Sequence, residues 1–269
     1  LGCGCQAALQ DGTAVATTGF MEHDSLDLGD GRKLAYHRSD GSGPGIVFLG
    51  GLRSDMTGTK ATFLEDHARS RGRAFLRFDY TGHGASTGTF EEGCIGDWAR
   101  DAGDALDRLT EGRQILVGSS MGGWVALLLA KRVPKRIAAL VGIAAAPDFT
   151  EDSMWAGFDA GTRAMLIDAG QVALPSDYSD DPYVITRRLI EDGGRNLVLR
   201  DPLDLPFPVR LLHGSEDADV PVSVALRLLD HATCADMRLT LVKAADHRFS
   251  GPGELALLAS TLDEIDTLI

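Results

Sequence analysis

Three side chains whose types suit acyl-transfer chemistry each follow an apolar, strand-like run of the sequence. Ser120 lies in the pentapeptide Gly118-Ser119-Ser120-Met121-Gly122, directly after "ILV". Asp217 comes just after Val209–Gly214, and His247 just after Met237–Val242. A serine hydroxyl becomes a strong nucleophile only when a base takes its proton and a carboxylate orients that base. We therefore predict a triad of nucleophile Ser120, base His247 and acid Asp217, in the chain order Ser, Asp, His.

The Gly-x-Ser-x-Gly spacing predicts a sharp strand-to-helix turn that projects Ser120 away from a sheet. The backbone N–H of Met121, at the start of the next helix, would then point to where negative charge develops on an attacked carbonyl. A second oxyanion donor is expected from the N–H of Leu52 in "GGLRSDMTGTK". Gly51 and Arg53 flank it as predicted substrate contacts. For Arg53 the contact would be to an anionic substrate group, and the alternative is a solvated or structurally paired arginine.

The choice of acid and base has alternatives within the sequence. Asp219 lies two residues beyond Asp217, and Asp148 follows the preceding strand, so both are rival acids. His83, in a glycine-rich loop, and His213, at a strand end, are predicted to be structural. The remaining histidines are predicted to serve surface or packing roles: His23, His37, His67 and His231.

Beyond residue 22, short strand-like runs alternate with helical patterns. This alternation predicts an α/β fold whose mostly parallel, eight-stranded sheet carries helices on both faces. Strands are expected at 26–28 and 33–37 as a hairpin, then at 45–51, 74–79, 114–118, 137–146, 209–214 and 237–242. Helices are expected at 59–71, 95–110, 121–132, 222–231 and 253–268.

Residues 149–207 interrupt this rhythm and predict a small helical cap, with helices at 155–169 and 183–191. Its apolar residues Trp155 and Phe158 are predicted to contact the substrate. Parallel strands end at one edge of a sheet, where α/β proteins bind ligands. The predicted triad and cap therefore belong to that edge.

Composition narrows the function classes. The 269 residues are 44% hydrophobic, enough for the core of one domain, predicted at 23–269. Residues 1–22 are interpreted as an arm that is either disordered or not native. The net charge of −13 disfavours nucleic acid and anionic membranes as partners.

The cysteines and the hydropathy pattern bear on location. The four scattered cysteines lack zinc-ligand spacing, which favours free thiols and a cytoplasmic location. No apolar run reaches the roughly 20 residues of a membrane-spanning helix.

The motifs "GSSMGG", "FDYTGHG", "HGSEDADVP" and "DHRF" resemble, in this order, those of the α/β-hydrolases. "TGTKA", "RFDYTGHGAS" and "VRLLHG" are most similar to a branch that contains an acyl-glucuronide esterase and protein depalmitoylase. The resemblance implies a serine hydrolase of the carboxylesterase or thioesterase type, without metal or organic cofactor, acting on a small-molecule ester or thioester as a monomer or homodimer. It departs at Gly50–Leu52, where the animal relatives have Pro-Gly-Tyr.

Two other functions are compatible with these residues. A peptidase or acyltransferase would use the same triad, and a noncatalytic ligand-binding protein would keep the fold alone. Haloalkane and epoxide hydrolases are excluded as usually built, because they have a carboxylate at the position of Ser120.

Overall fold

The computed structural model describes residues 23–175 and 182–269. Seven α-helices lie within these ranges: α1 (Thr59–Ser70), α2 (Ile95–Leu109), α3 (Met121–Arg132), α4 (Ala160–Ala169), α5 (Arg187–Gly193), α6 (Val222–His231) and α7 (Pro252–Asp266). Short helical turns are found at Phe90–Glu92, Pro134–Arg136 and Thr150–Trp155. The predicted N-terminal arm, with Cys3 and Cys5, lies outside the described residues.

The same ranges contain twelve strands: β1 (Asp24–Asp27), β2 (Lys33–Ser39), β3 (Ser42–Leu49), β4 (Arg73–Phe78), β5 (Gln114–Ser119), β6 (Ile137–Ile143), β7 (Gln171–Leu174), β8 (Tyr183–Thr186), β9 (Leu203–Asp204), β10 (Val209–Gly214), β11 (Ala232–Thr233) and β12 (Met237–Val242). Eight of them form the main sheet, in the order β1-β2-β4-β3-β5-β6-β10-β12. All neighbours from β4 to β12 in that order are parallel, and β2 is antiparallel to both β1 and β4. The predicted mostly parallel, eight-stranded sheet is confirmed.

The sheet is covered on both faces because its central strands are apolar on both sides. Every residue of β5 and β6 is buried. Helices α1 and α7 pack on one face and contribute Leu64 and Leu262 to its core, whereas α2 and α3 pack on the other with Trp98 and Trp124. A strand buried on both faces needs a continuous apolar run, and this is why β5 and β6 were predictable.

The cap differs from its prediction. Tyr183–Thr186, expected to be helical, forms strand β8, which pairs antiparallel with β7. The expected helix at 155–169 is interrupted, because the side chain of Asp159 accepts the N–H of Thr162 and begins α4 anew at Ala160. The cap is therefore a helix and hairpin structure, and the purely helical prediction was wrong. Part of it, 176–181, lies outside the described residues.

Cys94 and Cys234, the cysteines within the described residues, are free thiols, as predicted. In the described ranges, no helix combines the length and the apolar character needed to cross a bilayer.

Candidate active site

The turn between β5 and α3 presents Ser120 in a strained backbone conformation. Its φ of 54° and ψ of −118° lie outside the usual regions for an L-residue. Three backbone hydrogen bonds hold it there: the Ser120 N–H donates to Ile143 O at 2.9 Å, and Ser120 O accepts from Gly123 and Ala146 at 2.9 and 3.1 Å. Strain of this kind persists only where the surroundings enforce it, and it is concentrated at functional sites.

Small residues around Ser120 are required by close packing of the backbone. A methyl group at Gly122 would overlap the carbonyl oxygen of Leu49 at the end of β3, and one at Gly118 would overlap the carbonyl of Gly122. The neighbouring Ser119 is buried within β5. The Gly-x-Ser-x-Gly pattern is therefore a steric requirement of this turn, with Ser120 at its tip.

Ser120, His247 and Asp217 form a continuous hydrogen-bonded line. Nε2 of His247 lies 3.0 Å from Oγ of Ser120, and Nδ1 lies 2.9 Å from Oδ2 of Asp217. The side chain of Asp217 is fully buried and that of His247 is 17% exposed. The structure thus brings together three side chains that are 97 and 30 residues apart along the chain. In this arrangement Nδ1 donates to the carboxylate and Nε2 accepts from the serine hydroxyl.

Asp217 is held as a carboxylate. Burial, the largest single influence, raises its pKa, but hydrogen bonds from His247 and from the N–H of Val220 outweigh burial, so the pKa lies below the ordinary value. The N–H groups of Val220 and Asp219 both donate to Oδ1, at 2.8 and 3.0 Å. Oδ2 accepts neither amide, and Nδ1 of His247 lies within hydrogen-bond distance of both oxygens, 2.9 Å from Oδ2 and 3.0 Å from Oδ1.

One further contact to this carboxylate was not anticipated. Nε2 of His213 lies 2.8 Å from the carbonyl oxygen of Val220, so it carries a proton, and it is 3.3 Å from Oδ2 of Asp217. His213, the penultimate residue of β10, is almost fully buried and supports the Asp217 loop. The only signal in the sequence was its place four residues before Asp217.

The rival acid Asp148 has a different role. It is completely buried and accepts the N–H groups of Val198 and Leu199, at 2.8 and 3.0 Å, and Nη1 of Arg200 at 3.1 Å. Burial raises its pKa above the usual value. Asp148, which follows β6, thus binds the segment of chain that returns from the cap. The second rival, Asp219, is exposed and lines the cavity described below.

The loop after β3 passes beside the nucleophile. A Cβ atom at Gly51 would lie 3.5 Å from Cβ of Ser120, an ordinary van der Waals contact, so the two residues are close neighbours. The carbonyl of Gly51 accepts both the N–H and the hydroxyl of Ser54, at 3.2 and 2.8 Å, which closes a tight turn around Leu52 and Arg53. Leu52 follows Gly51 in this turn and Met121 follows Ser120 at the start of α3, and their role as oxyanion donors stays a prediction.

A cavity of about 620 Å³ opens at this edge of the sheet and is lined by Ser120 and His247. This volume lies within the range of small-molecule sites. Its apolar wall comes largely from the cap: Phe149, Met154, Leu174, Tyr183 and Ile185. Gly51 and Arg53, the predicted substrate contacts, both line it.

Trp155 and Phe158, which were predicted to contact the substrate, lie away from this cavity. The lining found within the described residues contains neither of them, and both pack half-buried against the main core. The guanidinium of Arg163 lies over the Trp155 ring, 5.1 Å from its centre. Helical spacing made the two apolar residues visible, but it could not determine which side of the cap faces the substrate.

Among the described residues, one group of side chains has the spacing of a metal site. Ligand atoms of Asp217, Asp219 and His247 lie within 4.8 Å of one another. Asp217 and His247 already hydrogen-bond each other, and His247 also bonds Ser120. We assign no metal role to the group, and the absence of a metal or organic cofactor stays a prediction.

Comparison with known proteins identifies the family. Residues 48–189 match the model of the α/β hydrolase fold. The chain belongs to the α/β-hydrolase family. Over 93% of its length it is 38% identical to the mitochondrial palmitoyl-protein thioesterase ABHD10 of Rattus norvegicus, covering 82% of that protein. This agrees with the branch that the motifs indicated.

Two solved structures extend the similarity to three dimensions. Mouse α/β-hydrolase domain-containing protein 10 superposes with a TM-score of 0.85 at 36% identity, covering 92% of this chain and all of the other. A protein from Agrobacterium vitis S4 has a TM-score of 0.86 at 39% identity, with 91% and 97% covered. This α/β hydrolase is therefore esterase- or thioesterase-like by its relatives.

Proposed function

We propose that this protein hydrolyses carboxylic esters and thioesters of apolar acyl groups through an acyl-Ser120 intermediate. The observation that carries the proposal is the hydrogen-bonded line from Ser120 through His247 to the buried Asp217, at the wall of a largely apolar cavity. A nucleophile, a general base and an orienting acid in hydrogen-bond contact are the minimum for this chemistry.

The reaction proceeds in two halves. His247 takes the proton of Ser120 as the oxygen attacks the carbonyl carbon, and the N–H groups of Leu52 and Met121 stabilise the resulting oxyanion. The protonated His247 then delivers its proton to the departing alcohol or thiol. Water, activated by the same histidine, attacks the acyl-enzyme and releases the carboxylic acid and Ser120. Asp217 stays ionised throughout and stabilises the imidazolium.

The acyl group is assigned to the cap side of the cavity. Phe149, Met154 and Ile185 offer apolar surface there, and burial of each methylene contributes about 0.8 kcal/mol. The rat relative is named a palmitoyl-protein thioesterase, and this supports thioesters of long acyl chains as the first substrates to examine. The cytoplasmic location and the monomeric or homodimeric state stay predictions.

Activity-based labelling tests the proposal directly. The wild type should react with a fluorophosphonate probe and turn over p-nitrophenyl esters and acyl thioesters, whereas Ser120→Ala should do neither. Ser119→Ala is the matched control, because it removes a hydroxyl from the adjacent position in the buried strand. Labelling of Ser120→Ala that equals wild type would contradict the proposal.

The same substrate series separates the alternatives. Amide cleavage, or acyl transfer to an added alcohol, that exceeds ester hydrolysis would favour a peptidase or an acyltransferase. A wild type that is not labelled at all would favour a noncatalytic ligand-binding protein.

A further inference from the structure

Arg53 bridges the oxyanion loop and the cap. Its guanidinium lies 5.2 Å from the centre of the Phe90 ring and 5.1 Å from the centre of the Tyr183 ring. Nη1 also donates to the carbonyl oxygen of Pro182 at 3.2 Å. Phe90 follows β4 in the main domain, whereas Pro182 and Tyr183 belong to the cap hairpin. Arg53 therefore connects the main domain and the cap beside the cavity, in addition to contacts elsewhere such as that of Arg188 with Asp97.

The backbone of Arg53 is part of the same loop as the expected oxyanion donor. It adopts a φ of 55°, a left-handed conformation that is uncommon for a residue with a long side chain. The Ser54 bonds to Gly51 close this turn, with Leu52 directly before Arg53. Leu52 and Arg53 share this turn, and the side chain of Arg53 is bound to the cap. The direction of the Leu52 N–H therefore depends on the position of the cap.

Phe90, the partner of Arg53 in the main domain, is held in place by other aromatic rings. Its ring stacks on Trp98 with the centroids 5.7 Å apart, and it meets the edge of His83 at 5.4 Å. Burial above all, together with the charge of Arg53, lowers the pKa of His83 to about 4, against an opposing hydrogen bond to Thr81 O. His83 is therefore a neutral packing partner near pH 7, and it does not repel the guanidinium.

Tyr183 lies on the cavity side of the Arg53 contact. It pairs with Leu174 across the β7–β8 hairpin, and both residues line the apolar part of the cavity. An acyl chain long enough to reach this hairpin would press it toward Arg53. A short acyl group would leave the hairpin untouched.

We propose that Arg53 is a positioning residue that couples the occupied acyl cavity to the oxyanion loop, so that long acyl chains are cleaved with a better-placed Leu52 N–H. This inference rests on the proposed esterase function. It replaces the expectation that Arg53 binds an anionic substrate group, because its guanidinium lies over two aromatic rings and its Nη1 donates to the cap backbone.

The test compares Arg53→Met with Arg163→Met over p-nitrophenyl esters from acetate to dodecanoate. Arg163 is the matched control, because it makes the same kind of contact within the cap, to Trp155, and lies outside the cavity lining among the described residues. In Arg53→Met we expect the loss of kcat on dodecanoate to exceed the loss on acetate by about tenfold or more. Arg163→Met should show no dependence on chain length.

Two further variants distinguish coupling from simple packing. Arg53→Lys keeps a cation near the rings, so it should recover part of the dodecanoate rate. Tyr183→Leu should reproduce the selective loss, and adding it to Arg53→Met should cost little more, because both changes break one connection.

The outcomes are distinct. An active wild type with equal losses at every chain length in Arg53→Met, or with additive losses in the double variant, would overturn the coupling alone. A wild type that neither turns over these esters nor reacts with a fluorophosphonate would overturn the proposed function, and the coupling with it.

Discussion

Replacement of Asp217 by asparagine probes the proposed mechanism most sharply, because the structure determines how the new amide must sit. The N–H groups of Val220 and Asp219 both donate to Oδ1, so the amide oxygen must take that position. The NH2 group then replaces Oδ2, 2.9 Å from Nδ1 of His247. The amide oxygen, 3.0 Å from Nδ1, can still accept from it, but the NH2 group beside it is a donor and favours the tautomer with the proton on Nε2, which cannot accept the proton of Ser120.

The size of the effect follows from the lost charge. A unit charge 2.9 Å from the imidazolium contributes about 6 kcal/mol at an effective dielectric constant of about 20. Because each 1.36 kcal/mol is about a factor of ten in rate, we expect kcat to fall by about four orders of magnitude. The shape of the loop should be retained, so thermal stability should change much less than activity.

The assay is the turnover of a p-nitrophenyl ester near pH 7, with the melting temperature measured on the same samples. Asp219→Asn is the matched control, since it neutralises a carboxylate two residues away in the same loop. It should stay within about tenfold of wild type. If Asp217→Asn retained more than about a tenth of wild-type turnover, the assignment of Asp217 as the orienting acid would be refuted.

Three further predictions concern stability. Gly122→Ala should lower the free energy of unfolding by more than about 3 kcal/mol in denaturant titrations, because its methyl group overlaps the backbone of Leu49 and neither element can retreat. Asp148→Asn should cost about 2 to 3 kcal/mol, since its NH2 group would face donors from the returning chain, while kcat of the folded enzyme stays close to wild type. Burial lowers the pKa of Lys60 to about 8. The unfolded chain therefore binds more protons than the native protein between about pH 8 and 10.4, and stability gains a contribution that rises with pH across this window. The melting temperature of Lys60→Met should lack that rise. If the melting temperatures of Lys60→Met and the wild type depended on pH in the same way, the lowered pKa of Lys60 would be contradicted.

The sequence alone was enough to predict the sheet and the sharp turn at Ser120, because both depend on which residue types stand next to each other in the chain. A strand buried on both faces must be apolar throughout, so β5 and β6 are visible as uninterrupted runs. The turn at Ser120 admits only glycine at positions 118 and 122, since the backbone itself fills the space. Because all parallel strands end at one edge, the positions of Asp217 and His247 after β10 and β12 were enough to predict their meeting.

Contacts between distant segments decided the rest. Whether residues 183–186 are helix or strand depends on pairing with β7, which no local pattern encodes. The role of Asp148 depends on two amides 50 and 51 residues later in the chain, and the side of the cap that faces the substrate depends on how Trp155 and Phe158 pack on the core. The contacts of Arg53 likewise join segments 37 and 130 residues away. A sequence lists the residues capable of such contacts, but only the folded backbone brings particular partners within reach.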